Sequence, residues 1–580
     1  MATTTKLDPI TFAVVRNGLI SAAMEMYWVY KRTTMLPVLY EYNDFGMSIY
    51  DDRLNLVAEA PGLPIFSGSL DDCIERTLAE VGGPDSLAEG DILLNNHPYL
   101  TAGQPADAAL IEPIFHEGGL IGYGALRAHM GDLGAKGPYP TNSTEVYQEG
   151  ILFPGVHLYR GGELQDVVIK ILKANSRIPA ETAGNVLAGA GALRAGSRVL
   201  RQLVQKYGHE TYYAAIDELL DHGERVAREG IAALPDGEYL AEDYIDDDGI
   251  TPDTPVKVVC KVTIDGSDMI IDTTGSAPEQ MGPINCPWGY TLCTGRFSLK
   301  RLVTPDIPPN GGEQRALTVI APEGSIFNPV PPAATFISWI TSLRLADMVV
   351  SALAPAMPDK IPAESAGDLC GILAYLKHPE TGRFCFFWDD GGIGHGARKG
   401  ADGMSALIHP ISAGIEYLPA ELLETRMPVV KLKHELTQDS GGPGEFRGGL
   451  GTTASYEIQG SGVAVAISDK CTASVTKGMN GGMSPPEQNA VLVYAGTDRE
   501  MRLGKKSDFY LNPGDVVESR PTGGGGYGDP ENREPEKVAS DVRNEYVSRE
   551  SAEENYGVVL DADGEVDTKA TTNKRKQTSN

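Results

Sequence analysis

Apolar residues recur at steps of three and four from Phe12 through Val15, Leu19, Ala22 and Met26 to Val29, a spacing that predicts a long amphipathic helix. Asp8-Pro9 reads as an N-cap with proline in the first turn, and Lys31-Arg32 suit the negative end of the helix dipole. Residues 44–50, the turn Asp51-Asp52-Arg53 and residues 54–58 predict a hairpin, and a helix follows over 70–81. Two glycine-interrupted apolar runs, Ala108 to Phe115 and Leu120 to Leu126, predict a buried strand pair turning at Glu117-Gly118-Gly119.

From 162 to 234 the periodicity is helical, with a cap-like Gly208 between two helices. At Pro235-Asp236-Gly237 it changes to strands over 238–245, 256–264 and 269–272. A helix over 286–302, a proline-rich loop region over 305–332 and a helix over 342–353 come next. Short strands then alternate with glycine-rich turns to about Pro521, a last helix is expected over 541–556, and the polar end, 573–580, is expected to fray. The expected fold class is mixed α and β (α+β) with several subdomains: an N-terminal mixed region carrying the site (1–160), a helical block (161–235), a mixed α/β region (236–360), a β-rich C-terminal region (361–530), and a terminal helix with its tail (531–580).

Charge narrows the partners. The chain has 49 basic against 79 acidic residues, a formal net charge of −30, which repels phosphate backbones and anionic lipid surfaces. Neither nucleic acid nor a membrane is expected as a partner. Seven cysteines, with no C-x-x-C pair, argue for a reducing compartment and against a zinc ribbon. Cys286 and Cys293, seven apart on the expected helix, should share one buried face. The N-terminus lacks a basic region leading into an apolar core, and the apolar stretch 336–357 is interrupted by Arg344 and Asp347, so a cytoplasmic protein is expected.

One stretch groups side chains fit for chemistry. Residues 95–150 present Asp107 after a turn-rich segment (Pro98, Gly103, Pro105), and the second apolar run ends in Arg127, His129 and Asp132. A strand end is rigid yet reachable, which suits a site. Asp107 and His129 are of the types that hold a divalent ion; a third donor three residues before Asp107 would be Gln104, a weak neutral oxygen. A histidine beside a strand end is more often a satisfied structural one; the chemical alternative for His129 is a general acid or base oriented by Asp132, with Arg127 or Lys136 holding an anion.

Other stretches carry less. Gly523, Gly525 and Gly528 have G-x-G-x-x-G spacing, but Asp529-Pro530 follows where a dinucleotide fold needs a helix. No phosphate-binding G-x-x-x-x-G-K-[ST] occurs. The loop 391–403, with His395 and Arg398, is either a structural turn or a cradle for an anion. Residues 439–451 read as a tight backbone crossing with Arg447 paired to an acid, and Tyr27, Trp28, Tyr30, Trp288 and Trp388 as core or as the lining of an aryl pocket.

Several segments in order, DPITFAVVRNGL, NNHPYLTAGQPAD, RAHMGDLG, TEVYQEG, GPINCP, IAPEGSIFNP, DSGGPGEFRGGLG and PTGGGGYGDP, resemble the hydantoinase B family. That family includes the B-type components of N-methylhydantoinases, the matching half of 5-oxoprolinase, and large subunits of acetone and acetophenone carboxylases. The resemblance implies a partner, a hydantoinase A-type subunit that binds ATP, and leaves room for further subunits. In acetone carboxylase manganese is held through two histidines and an aspartate; here Asp107 and His129 match two of these, while Gln104 stands for the remaining histidine, Met130 for a second histidine of the pair and His97 for an aspartate. The altered set looks most like the acetophenone carboxylase branch. It implies carboxylation of an enol phosphate, formed from a ketone, by carbon dioxide or bicarbonate to a β-keto acid. Hydrolysis of a cyclic amide, or a non-catalytic scaffold role, are the alternatives.

Overall fold

The Asp8 carboxylate accepts a hydrogen bond from Thr11 N at 2.9 Å and so starts helix α1 (Pro9–Thr33). Val15, Leu19, Ala22, Met26 and Tyr30 form its buried stripe. The structure, a computed structural model, describes residues 7–101, 103–367 and 370–578. The first and last expectations for the termini therefore lie partly outside the described residues.

The helix lies against α3 (Pro179–Ala232), which follows α2 (Leu70–Val81) in the chain. At Gly208 (φ 80°, ψ 158°) α3 breaks, as the cap-like glycine predicts; a left-handed φ with extended ψ is one that glycine adopts without steric cost. Together they cover a seven-stranded antiparallel sheet: β1 (Phe45–Tyr50), β2 (Leu56–Glu59), β3 (Ile92–Asn95), β4 (Asp107–His116), β5 (Gly119–His129), β6 (Pro154–Arg160) and β7 (Glu163–Leu164), in the order β2-β1-β5-β4-β3-β6-β7. The β4–β5 hairpin turns at Glu117-Gly118, with Glu117 at φ 51°.

A second sheet follows, built from β8 (Gly237–Ile245), β9 (Val256–Asp265), β10 (Asp268–Asp272) and β11 (Leu317–Ile320), with helices α4 (Trp288–Val303) and α5 (Trp339–Ala352). Cys293 lies within α4, but Cys286 precedes it, because Pro287 takes the N-cap; both thiols are buried all the same. The C-terminal part has two more sheets. One contains β12 (Cys370–Lys377), β13 (Phe384–Gly391), β16 (Ser461–Ile467) and β19 (Lys506–Leu511). The other contains β14 (Val429–Leu436), β15 (Thr452–Ile458), β17 (Ala490–Val493), β18 (Met501–Leu503) and β20 (Val516–Arg520). Mixed α and β structure in several sheets is thus the fold class.

Two expectations near the end are corrected. The helix expected over 541–556 is two, Pro535–Arg543 and Arg549–Glu554, separated where Glu545 takes a positive φ. The basic run of the tail sits in a further helix, Thr568–Thr578, and Arg575 donates to the Tyr556 and Arg533 carbonyls, so it is docked rather than frayed.

The two halves are bound by a buried ion network. Arg344 on α5 bridges Asp243 (3.2 Å) and Asp469 (2.6 Å), and Lys505 reaches Asp469 at 2.8 Å. Beside it the glycine-rich segments interleave backbone on backbone. Gly442 N donates to Gly524 O at 2.8 Å, Gly524 N to Gly449 O at 2.9 Å and Gly449 N to His395 O at 2.9 Å. A Cβ on Gly448 would stand 1.9 Å from Gly524 O, and one on Gly524 would stand 2.0 Å from His395 O.

Gly448→Ala is therefore expected to destabilise the chain by more than ~3 kcal/mol, since backbone rather than a side-chain end must give way. Gly191→Ala, where a Cβ meets nothing within 4 Å in mid-helix, should stabilise it by up to ~1 kcal/mol; thermal melts of the two variants check this. Burial of the Glu59 carboxyl at the end of β2, beside Glu313 and only partly offset by Lys300, pushes its pKa up to about 7. The unfolded chain then ionises first, so stability falls as pH rises from about 4.5 to about 7. Glu59→Gln should flatten that decline in denaturant melts across the same range.

Candidate active site

The β4–β5 register sets Asp107 directly opposite His129, and both side chains are fully buried. The His129 Nδ1 lies 3.1 Å from Asp107 Oδ1. Tyr290, on the first turn of α4, donates its hydroxyl to Asp107 Oδ2 at 2.7 Å. Burial and the neighbouring Asp107 hold the Tyr290 pKa well above the usual tyrosine value, which keeps this hydroxyl a donor. Gly103 makes the approach possible: a Cβ there would fall 2.7 Å from the Tyr290 ring and hydroxyl.

Gln104 closes the cluster. Its Nε2 stands 3.1 Å from Asp107 Oδ1, 3.2 Å from His129 Nδ1 and 2.7 Å from the Tyr139 hydroxyl. With the amide turned the other way its oxygen would face the carboxylate, so the donor orientation is the one the surroundings favour. The Tyr139 hydroxyl is 3.3 Å from His129 Nδ1, and the two rings stack at 5.3 Å between centroids. Phe386 and Trp388 from β13 complete the surround, with ring centroids 6.2 and 5.8 Å from that of His129.

This cluster borders a cavity of about 40 Å³ whose lining includes Gln104, Asp107, Tyr139, Tyr290 and Trp388. Three buried polar atoms of the cluster, His129 Nε2, Gln104 Oε1 and Trp388 Nε1, have no hydrogen-bond partner in the protein. Buried polar atoms rarely stay unpaired; Gln104 and Trp388 line the void, and His129 lies one layer behind it, against Asp107 and Tyr139. With Nδ1–H donated to Asp107, His129 Nε2 carries a lone pair able to take a proton, the arrangement of a carboxylate-oriented general base.

The other expected residues are placed elsewhere. Asp132 does not orient His129: its carboxylate accepts from Arg177 N at 2.5 Å, Arg177 Nη1 at 2.9 Å and Gly134 N at 2.9 Å. Asp107 takes the orienting position instead, because it lies across the strand pair and Asp132 lies past the strand end. Arg127 is wholly buried and donates to Phe66 O at 2.9 Å, bracing the loop after β2. Lys136 reaches outward to Asn142 O at 2.6 Å.

In the loop 391–403 the backbone N–H groups are engaged by the glycine crossing. His395 N donates to Met404 O and Ala397 N to Gly525 O, so they are spent on protein carbonyls rather than on an anion. His395 Nε2 lies 2.7 Å from Ile408 O, and His395 and the exposed Arg398 both line a separate cavity of about 310 Å³. Arg447 does pair an acid, Asp541, at 3.6 Å. Of the aromatic candidates, Trp388 alone lines the cavity beside His129; Tyr27 and Tyr30 are core, Trp28 is exposed and Trp288 borders an outer groove.

Sequence reasoning missed Tyr139 and Tyr290. Tyr139 sits in the same stretch as His129, ten residues on, and its aromatic ring among prolines and glycines was the available signal. Tyr290 lies 183 residues from Asp107 in the chain, and nothing local marks it.

The donor set does not fit a tightly held manganese ion. It offers one carboxylate, one imidazole and a neutral amide, where such ions prefer several charged or imidazole donors. The Gln104 amide nitrogen, donating from among Asp107, His129 and Tyr139, stands where a cation would have to bridge them.

Comparison with known proteins agrees with this architecture. A relative from Pseudomonas sp. (strain NS671), provisionally named as the B component of a D-/L-hydantoinase, is 30% identical over 98% of this chain and 98% of its own length. The crystal structure of an ATP-dependent caprolactamase from Pseudomonas jessenii superposes with a TM-score of 0.90 at 28% identity, over 99% of this chain and 100% of that one. An acetone carboxylase in its nucleotide-free form shares the fold, with a TM-score of 0.90 at 19% identity over 99% of this chain and 83% of that one. The Hydantoinase B/oxoprolinase family matches residues 8–530, and this chain belongs to that family.

Proposed function

We propose that this chain is the B-type subunit of an ATP-dependent enzyme that opens a small cyclic amide in the chamber beside His129. The observation that carries the reading is the buried Asp107–His129 pair, whose aspartate lines a small void, with His129 Nε2 and Gln104 Oε1 left without protein partners. The relatives named for hydantoinase and caprolactamase, at 30% and 28% identity, favour amide substrates. ATP would be handled by a separate hydantoinase A-type subunit, since the chain has no phosphate-binding loop motif.

In this reading the partner phosphorylates the amide oxygen, which makes the ring carbon electrophilic. Water then adds at that carbon while His129 takes its proton, and Asp107 stabilises the imidazolium that forms. The ring C–N bond breaks, nitrogen receives the proton, and phosphate leaves with a second water consumed. Gln104 and Tyr139 hold Asp107 and the imidazole in place, and Tyr290 fixes the second carboxylate oxygen. The aromatic wall of Tyr139, Phe386 and Trp388 excludes bulk water.

The same wall supports a second reading, carboxylation of an enol phosphate formed from an aryl ketone, with bicarbonate as the source of the carboxyl group. Ring stacking on Trp388 or Tyr139 would favour such a substrate.

The two readings are separated by ATP turnover of the chain purified with its A-type partner. A hydantoin or lactam should stimulate ADP release, and an aryl ketone with bicarbonate should not; the opposite result selects the carboxylase. His129→Ala should lower kcat by ~10²–10⁴-fold with the complex intact, and unchanged turnover would mean a scaffold. Asp132→Asn should instead lower stability by about 2 kcal/mol, through lost charged hydrogen bonds to Arg177, while kcat per folded molecule is kept. Gln104→His should gain Mn²⁺ affinity by at least ~10-fold over the parent chain in a calorimetric titration.

A further inference from the structure

A second cluster lies away from the chamber, where the tip of the β4–β5 hairpin meets the break in α3. His116 ends β4, Glu117 forms the turn at φ 51°, and His209 follows Gly208. One ligand atom from each of the three lies within 4.8 Å of the others, and the two imidazole rings are 5.4 Å apart between centroids. Among the described residues none of the three side chains makes a hydrogen bond or ion pair. His116 is half-buried, and Glu117 and His209 are exposed.

We propose that His116, Glu117 and His209 form a surface site for a borderline divalent cation such as Zn²⁺. Two imidazoles and one carboxylate, with a water in the fourth position, are a ligand set that zinc accepts in tetrahedral geometry. Metal–nitrogen bonds of about 2.0–2.1 Å set tetrahedral donors about 3.3 Å apart, so side-chain rotations of about an ångström close the set. The backbone beneath is already fixed. Tyr212 donates its hydroxyl to Ile121 O at 3.2 Å and Tyr213 to Leu120 O at 3.5 Å, holding the second half of α3 on the start of β5. The two unusual backbone points, Glu117 and Gly208, each sit at or beside a ligand residue, and together they turn the histidines toward one another. Hard cations such as Mg²⁺ prefer all-oxygen sites and are not expected to bind here. A bound ion would tie the hairpin tip to the helix junction.

Calorimetric titration of the tag-free full-length chain with Zn²⁺ tests the proposal, with Mg²⁺ as the control cation. One saturable equivalent of Zn²⁺ is expected, weakened at least ~10-fold in His116→Ala and in His209→Ala, and accompanied by a rise in Tm absent from the double variant. Circular dichroism of the variants checks that they fold, which one exposed and one half-buried position should permit. Zinc binding of parental affinity in the double variant, no saturable zinc binding in the parent, or Mg²⁺ binding as tight as Zn²⁺ would each overturn the assignment.

Discussion

The register of one strand pair governs the site. β4 and β5 run antiparallel from a two-residue turn, and at their far end that register sets Asp107 across from His129. A slip of β5 by one residue would turn His129 to the opposite face of the sheet and set a neighbour, Ala128 or Met130, across from Asp107. The slip is prevented because β5 is clamped on both sides, by β1 and by β4, and because both of its faces are buried through most of its length. A long, doubly buried strand in the middle of a sheet is among the most rigid supports a fold offers, and the histidine is the last residue of it.

The remaining wall of the chamber comes from the other half of the molecule. Phe386 and Trp388 stand on β13, whose last residue, Gly391, opens the glycine crossing. Backbones that pass within 2 Å of where a Cβ would be cannot slide against one another without losing their hydrogen bonds. The crossing anchors the end of β13 within the C-terminal half, and the Arg344–Asp243–Asp469 network ties that half to the second sheet. Tyr42, stacked flat on Trp388 at 5.6 Å, carries the contact across. The cavity is therefore lined from distant parts of the chain rather than from one sheet alone.

Within it, hydrogen bonds hold the polar groups at spacings usually kept by an ion. Gln104 donates its two amide hydrogens to the Asp107 carboxylate and the Tyr139 phenol oxygen beside the imidazole, and Tyr290 balances the far side of the carboxylate. A neutral donor neutralises none of the Asp107 charge, so that charge remains to stabilise a protonated His129.

Much of this was legible in the sequence. The helix over 9–33, the strand pair around the hairpin, the helix over 70–81 and the break at Gly208 are local features, set by apolar spacing, a capping aspartate and glycine, and they stand where those signals place them. Asp107 and His129 were also within reach, since both fall in one stretch. What the sequence could not assign is which acid faces the histidine. Asp132 is three residues away and Asp107 twenty-two, yet the sheet brings the distant one opposite and leaves the near one to Arg177. Nor could it reveal Tyr290, choose between core and cavity for Trp388, or join 391–403 and 521–528 to the crossing it marked at 439–451, because these meet only when distant chain segments are packed. Local chemistry decides elements; pairing across the sheet and between the halves decides which side chains share a cavity.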